Sequence, residues 1–126
     1  PLIGEFYPAG AEDLAPEQLQ EQVAVGCRIA AELGSDMIKT FYTGKDFDKI
    51  VAATPVPIFG LGARKTSREI DALRLAASEV RAGARGVVFG RNVVQARDPK
   101  RFLNALQEVV KAGKDPEQVA QKFGIE

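Results

Sequence analysis

Four short apolar runs punctuate the chain: LIGEFY from Leu2, DMIK from Asp36, PVPIFGLG from Pro55 and GVVFG from Gly86. Runs of this length bounded by glycine, proline and polar residues predict buried strands, at about 2–7, 36–40, 56–61 and 86–90. Between them the pattern changes to a helical period. Residues 15–34 (APEQLQEQVAVGCRIAAELG) have their apolar positions at Leu19, Val23, Gly26, Cys27, Ala30, Ala31 and Leu33. Pro16 suits the first turn and Gly34 the stop. A short stretch, DFDKIVAA, sets Phe47, Ile50 and Val51 on one face. In TSREIDALRLAASEVRAG, Thr66 and Glu69 have capping-box spacing, and Ile70, Leu73, Ala77 and Val80 form the stripe expected to be buried. DPKRFLNALQEVVKAG predicts a helix capped by Asp98, with Phe102, Leu103, Leu106, Val109 and Val110 inward. DPEQVAQKFG predicts one more capped helix on the outside.

The alternation of strand and helix predicts βα units and a parallel sheet covered by helices. Two joints, AAELGSDMIK and EVRAGARGVV, repeat the same order of helix, glycine, turn and strand. Every predicted strand ends in a polar or glycine-rich loop: YPAG, KTFYTG, GLGARKTS and GRNVVQ. Loops at the C-terminal ends of parallel strands carry the sites of barrels and open sheets alike. Four equipped loops suit a barrel rim better than a sheet with one switch point. A (β/α)₈ barrel takes about 250 residues, and this chain has 126. The expected architecture is therefore α/β, half of a TIM (β/α)₈ barrel occupying 1–126 as one domain. Four strands cannot close a barrel, so Ile3, Met37, Ile58 and Val88 or its neighbour are expected on an uncovered face. A complementary half-barrel chain or a second copy should cover it, giving a higher oligomer.

Composition narrows the chemistry. Seventeen basic residues balance seventeen acidic ones, which gives no reason to expect a nucleic-acid groove or an anionic membrane partner. With no histidine and one cysteine, zinc and transition-metal chemistry lose their usual ligands, although carboxylates alone would hold magnesium. Cys27 lies inside a helical pattern and reads as a small buried hydrophobe. No signal peptide and no apolar run near 20 residues is evident, so a cytoplasmic location is expected. Pro1 stands where an initiator would be methionine, so processing or membership of a longer chain is expected.

Lys39 ends the second strand. A lysine there either snorkels to solvent or points into the site, where partial desolvation beside Met37 favours the free amine. A free amine meeting a carbonyl forms an iminium, the electron sink that carbon–carbon cleavage needs. Tyr7 ends the first strand and either donates and accepts protons on the same rim or packs as an aromatic. Glu5 shares its face and needs a cation such as Lys39 if it is covered. Tyr42 reads as loop packing. The last two loops look built for an anion: Gly60, Gly62, Arg64 and Lys65 from one, Gly90 and Arg91 from the next. GLGARKTS does not fit a Walker loop, and no acidic ribose partner follows it.

The segments AAELGSDMIKTFYTG, VPIFGLGARKTS and AGARGVVFGRNVVQARDP resemble the second half of the DeoC/FbaB class I fructose-bisphosphate aldolase family, in its archaeal-type, DhnA-like branch. EFYPAG resembles that family's strand-five segment, with Ala9 in place of an arginine. The resemblance implies strands five to eight of a (β/α)₈ barrel and a class I lyase acting on a phosphorylated ketose such as fructose 1,6-bisphosphate. It implies Lys39 as the Schiff-base lysine and Tyr7 as the proton-transfer tyrosine. Gly60, Gly62, Lys65, Gly90 and Arg91 would hold the substrate phosphate. No cofactor is implied, because the imine is itself the electron sink. Glu5 stands where the fructose-bisphosphate enzymes tend to carry an aromatic, and the family's strand-one acid has no counterpart here. The family also includes thiolase-like and transaldolase-like enzymes, and a non-catalytic phosphate-binding half-barrel is the competing reading.

Overall fold

The computed structural model describes residues 1–126. Its frame is a four-stranded parallel sheet in sequence order, β1 (Ile3–Glu5), β2 (Met37–Thr40), β3 (Ile58–Leu61) and β4 (Gly86–Val88). Each strand is followed by helix: α1 (Pro16–Glu32), α2 (Phe47–Ala53), α3 (Glu69–Arg81), then α4 (Arg91–Val94), α5 (Pro99–Ala112) and α6 (Pro116–Phe123). The chain is thus four consecutive βα units, as the alternation predicts. No helix is long and apolar enough to cross a membrane.

Capping residues explain where the helices start. Asp98 accepts the Arg101 N–H at 3.0 Å, and Asp115 accepts those of Glu117 and Gln118 at 3.1 Å each. Ala15 has no side chain to cap α1, and there Gln18 Oε1 accepts the Ala15 N–H instead. The two matching joints adopt one geometry. Leu33 and Ala82 both lie at φ −78°, ψ 2°, and Gly34 and Gly83 follow at φ +92° and +102°. Both turns then close with the same six-residue bond, Ser35 N–H to Ala30 O and Ala84 N–H to Glu79 O.

The register fixes which residues share a face. Glu5 pairs with Lys39 and Lys39 with Phe59, while Gly4 pairs with Ile38 and Ile38 with Ile58. Helices cover the Ile38 and Ile58 face, which carries a core of Val23, Cys27, Phe47 and Ile50. A second cluster, centred on Leu73, Phe102 and Leu106, joins α3, α5 and α6. Burial holds the Cys27 thiol up at about 11 despite a hydrogen bond with Thr40, so it stays a neutral thiol.

The opposite face is bare. Ile3 is 58% exposed and Val88 46%, as expected of an open half-barrel. Ile58 corrects the expected set: it is buried under the helices, and Phe59 takes the open-face position. Three further expectations change. Thr66 and Glu69 form no capping box, because α3 begins at Glu69 and Thr66 turns to Asn92. Leu103 lies on the outside of α5 rather than inward. GRNVVQ, expected as loop, contains the single helical turn α4.

Candidate active site

Parallel pairing of Glu5 with Lys39 puts both side chains on the open face at the C-terminal end of the sheet. Lys39 Nζ donates to Glu5 Oε1 at 2.9 Å. Neither is deeply buried; the lysine side chain is 26% exposed and the carboxylate 50%. Tyr7, two residues on, rests its ring against Phe41 with centroids 4.6 Å apart, and the residue as a whole is 53% exposed. Tyr42 packs edge-on against Phe47, in the loop role expected of it.

These three polar groups share a cleft of about 250 Å³ with Gly62, Gly90 and Arg91. Leu61, Ala63 and Val88 complete its wall. The N–H groups of Gly62, Ala63 and Gly90 have no backbone acceptor within the chain, and all three residues line the cleft. Arg91 reaches across to the preceding loop and donates to Ala63 O at 2.9 Å. Ala63 is held at φ +47°, a left-handed conformation that costs an alanine on the order of 1 kcal/mol.

Asn92, only 3% exposed, holds that loop in place and was not apparent from the sequence. Its Nδ2 donates to Gly62 O at 3.0 Å and Arg64 O at 3.3 Å; its Oδ1 accepts from Thr66 N–H at 2.8 Å and Thr66 Oγ1 at 3.2 Å. One buried amide therefore fixes both ends of the glycine-basic loop. An ion pair between Arg64 and Glu12 ties the same loop to the one after β1.

Two expected phosphate contacts lie elsewhere. Lys65 turns away and donates to Gln95 O at 2.7 Å, beside a separate polar cavity that Arg97 and Arg101 also line. Gly60 is a buried strand residue on the helix-covered face. A Cβ there would fall 2.2 Å from Glu79 Cδ, so its lack of a side chain makes room for a carboxyl group. Glu79 is fully buried and neither carboxyl oxygen has a hydrogen-bond partner. Desolvation raises its pKa to about 9, so it is neutral at pH 7. Nothing in the local pattern of α3 distinguishes Glu79 from a surface glutamate.

A sequence model of the DeoC/LacD family aldolases matches residues 2–96. The chain is 43% identical over 117 residues to a class 1 fructose-bisphosphate aldolase of Thermoproteus tenax, covering 90% of this chain and 44% of the relative. A 3-hydroxy-5-phosphonooxypentane-2,4-dione thiolase of Salmonella paratyphi A is 38% identical over 112 residues, covering 89% of this chain and 38% of that one. Among solved structures, a Schiff-base-forming fructose-1,6-bisphosphate aldolase superposes with a TM-score of 0.78 at 42% identity, over 87% of this chain and 45% of the other. The chain thus spans less than half the length of the relatives it matches.

Proposed function

The chain belongs to the DeoC/LacD aldolase family, and from that premise we propose that it is the lysine-bearing half of a class I aldolase acting on a phosphorylated ketose such as fructose 1,6-bisphosphate. The observation that carries the reading is the Lys39–Glu5 contact in a cleft also lined by Tyr7, Gly62, Gly90 and Arg91.

In this reading Lys39 passes a proton to Glu5 and its free amine attacks the ketose carbonyl. Loss of water gives the iminium. Cleavage of the carbon–carbon bond one removed from the iminium carbon, between its α and β carbons, sends its electron pair into that iminium as an enamine, while Tyr7 shuttles the proton of the β-hydroxyl that becomes the departing aldehyde. Protonation of the enamine and hydrolysis of the resulting iminium free Lys39. The unpaired N–H groups of Gly62, Ala63 and Gly90, with Arg91, hold the phosphate and fix the carbonyl beside Lys39. Gly60 contributes by admitting Glu79 behind the strand, and Lys65 by anchoring the loop to Gln95, rather than by touching phosphate. Glu5 supplies a carboxylate next to the amine, a task that requires no group from outside this chain. The open face is covered by a complementary half-barrel, which also dries the cleft around Lys39.

The thiolase resemblance supports a second reading within the same chemistry, in which the substrate is a phosphorylated diketone and the acceptor is a thiol. The test is steady-state kinetics of this chain joined behind the N-terminal half of the Thermoproteus tenax relative. Lys39→Met is expected to abolish cleavage of fructose 1,6-bisphosphate. Glu5→Gln should lower kcat at least about 100-fold with little change in KM. Full activity of Lys39→Met would refute the proposal.

A further inference from the structure

The far end of the glycine-basic loop opens on a second cavity, of about 240 Å³, which no hydrophobic residue lines. Lys65 and Arg68 reach it from the loop, Arg97 and Arg101 from the start of α5. Against these four cations stand two carboxylates, Glu69 and Glu126. Glu69 Oε1 is turned to the backbone, where it accepts the Arg97 N–H at 2.6 Å, and Glu126 Oε2 stands 4.0 Å from Arg97 Nη1.

The cations differ in how far they are satisfied. Lys65 is bonded to Gln95 O, and Arg68 grips Asp71 through two nitrogens, at 3.0 and 2.9 Å. Arg101 is the exception. Only two arginines of the chain are half-buried, Arg74 and Arg101. Arg74 donates to both Asp71 and Glu117, at 2.9 Å each, whereas the Arg101 guanidinium pairs with no carboxylate. A partly covered guanidinium keeps its full charge while losing some of its water, so an unpaired one favours an anion beside it.

We propose that this cavity is a second anion site, which takes a compact phosphate-type polyanion on Arg101 and Arg97 and thereby restrains the loop that also walls the Lys39 cleft. The excess of two cations over the carboxylates calls for a ligand with at least two negative charges, and a guanidinium fork matches phosphate oxygens in pairs. With no hydrophobic wall, the cavity offers nothing to stack a base or cover an alkyl chain, so the ligand is small and polar throughout. The N-terminus of α3 is not the attraction, since the Ile70 N–H already donates to Glu126 O at 3.2 Å. The restraint follows from the shared loop: Gly62 and Ala63 line the cleft, Thr66 and Ser67 line this cavity, and Asn92 bonds to both ends.

The probe is inorganic pyrophosphate, titrated calorimetrically into the 126-residue chain at low salt. One binding event is expected, weakened at least about 10-fold by Arg101→Gln and by Arg97→Gln, strengthened by Glu126→Gln, and retained in Arg91→Ala, whose change lies in the cleft. Arg97 is exposed, so its variant keeps the fold and the test stands even where Arg101→Gln unfolds. Amide exchange over residues 62–68 should slow with pyrophosphate in the parent and not in Arg97→Gln. No binding at millimolar pyrophosphate would overturn the site. Binding lost in Arg91→Ala but kept in both Arg97→Gln and Arg101→Gln would place the anion in the catalytic cleft and overturn it equally. Binding with unchanged exchange would overturn the restraint. None of these results bears on Lys39, so the site stands or falls apart from the aldolase reading.

Discussion

Replacing Glu79 with glutamine removes an ionisable group while keeping its shape. In the fold the carboxyl has no hydrogen-bond partner and its pKa is about 9, against an ordinary value of 4.5. A raised acid pKa means the folded state keeps its proton while the unfolded state loses it. Stability is therefore full below pH 4.5 and is lost as pH rises towards 9. Each pH unit in that window costs about 1.4 kcal/mol, or roughly 3 kcal/mol by pH 7 and about 6 kcal/mol by pH 9. Set against a total stability of about 5–15 kcal/mol for a domain, this loss decides whether the chain stays folded in mild alkali. Glu79→Gln keeps a buried amide but has no proton to lose, so its profile should be flat where the parent's falls. Urea unfolding followed by far-UV circular dichroism at pH 5, 7 and 8.5 measures the difference directly. The two proteins should nearly coincide at pH 5, and the variant should be more stable by about 3 kcal/mol at pH 7. Parallel profiles across the range would refute the reasoning, since they would mean that the carboxyl is solvated or paired in the fold.

Gly60→Ala should destabilise the chain by about 1–3 kcal/mol, because the new methyl meets the Glu79 carboxyl; adding Glu79→Ala should recover most of the loss in a double-mutant cycle. Asn92→Ala frees the ends of the loop at Gly62 and Thr66, and should cost about 1–3 kcal/mol in unfolding measurements and raise KM for the phosphorylated substrate in the completed enzyme. Arg91→Ala should raise KM at least about 10-fold with a smaller change in kcat, and substrates lacking the phosphate should lose this sensitivity.

Much of this was legible in the chain. Parallel strands buried under helices read as apolar runs, so all four were located, although each proved shorter than its run. The rim residues Lys39, Tyr7, Gly62, Gly90 and Arg91 could be grouped because strand ends in a parallel sheet point one way. Parity in β3 was not legible: Ile58, Phe59 and Leu61 are all apolar, and a one-residue shift exchanges the faces. Lys65 is directed by its bond to Gln95 O, a contact between residues 30 apart that no local pattern announces. Gly60 was read as a ligand contact because a glycine before a basic loop commonly is one. Its use as a recess for Glu79 joins a strand to a helix through packing that no local pattern encodes. Likewise Asn92 sits in a four-residue helix too short to show a period.

The central claim is that Lys39 forms the imine. Its most direct test is borohydride reduction of the complemented protein in the presence of dihydroxyacetone phosphate, followed by peptide mass mapping. The expected result is one reduced triose phosphate on Lys39, absent without substrate and in Lys39→Met. Label on another lysine, such as Lys65, or no label in a protein that still cleaves the ketose, would contradict it.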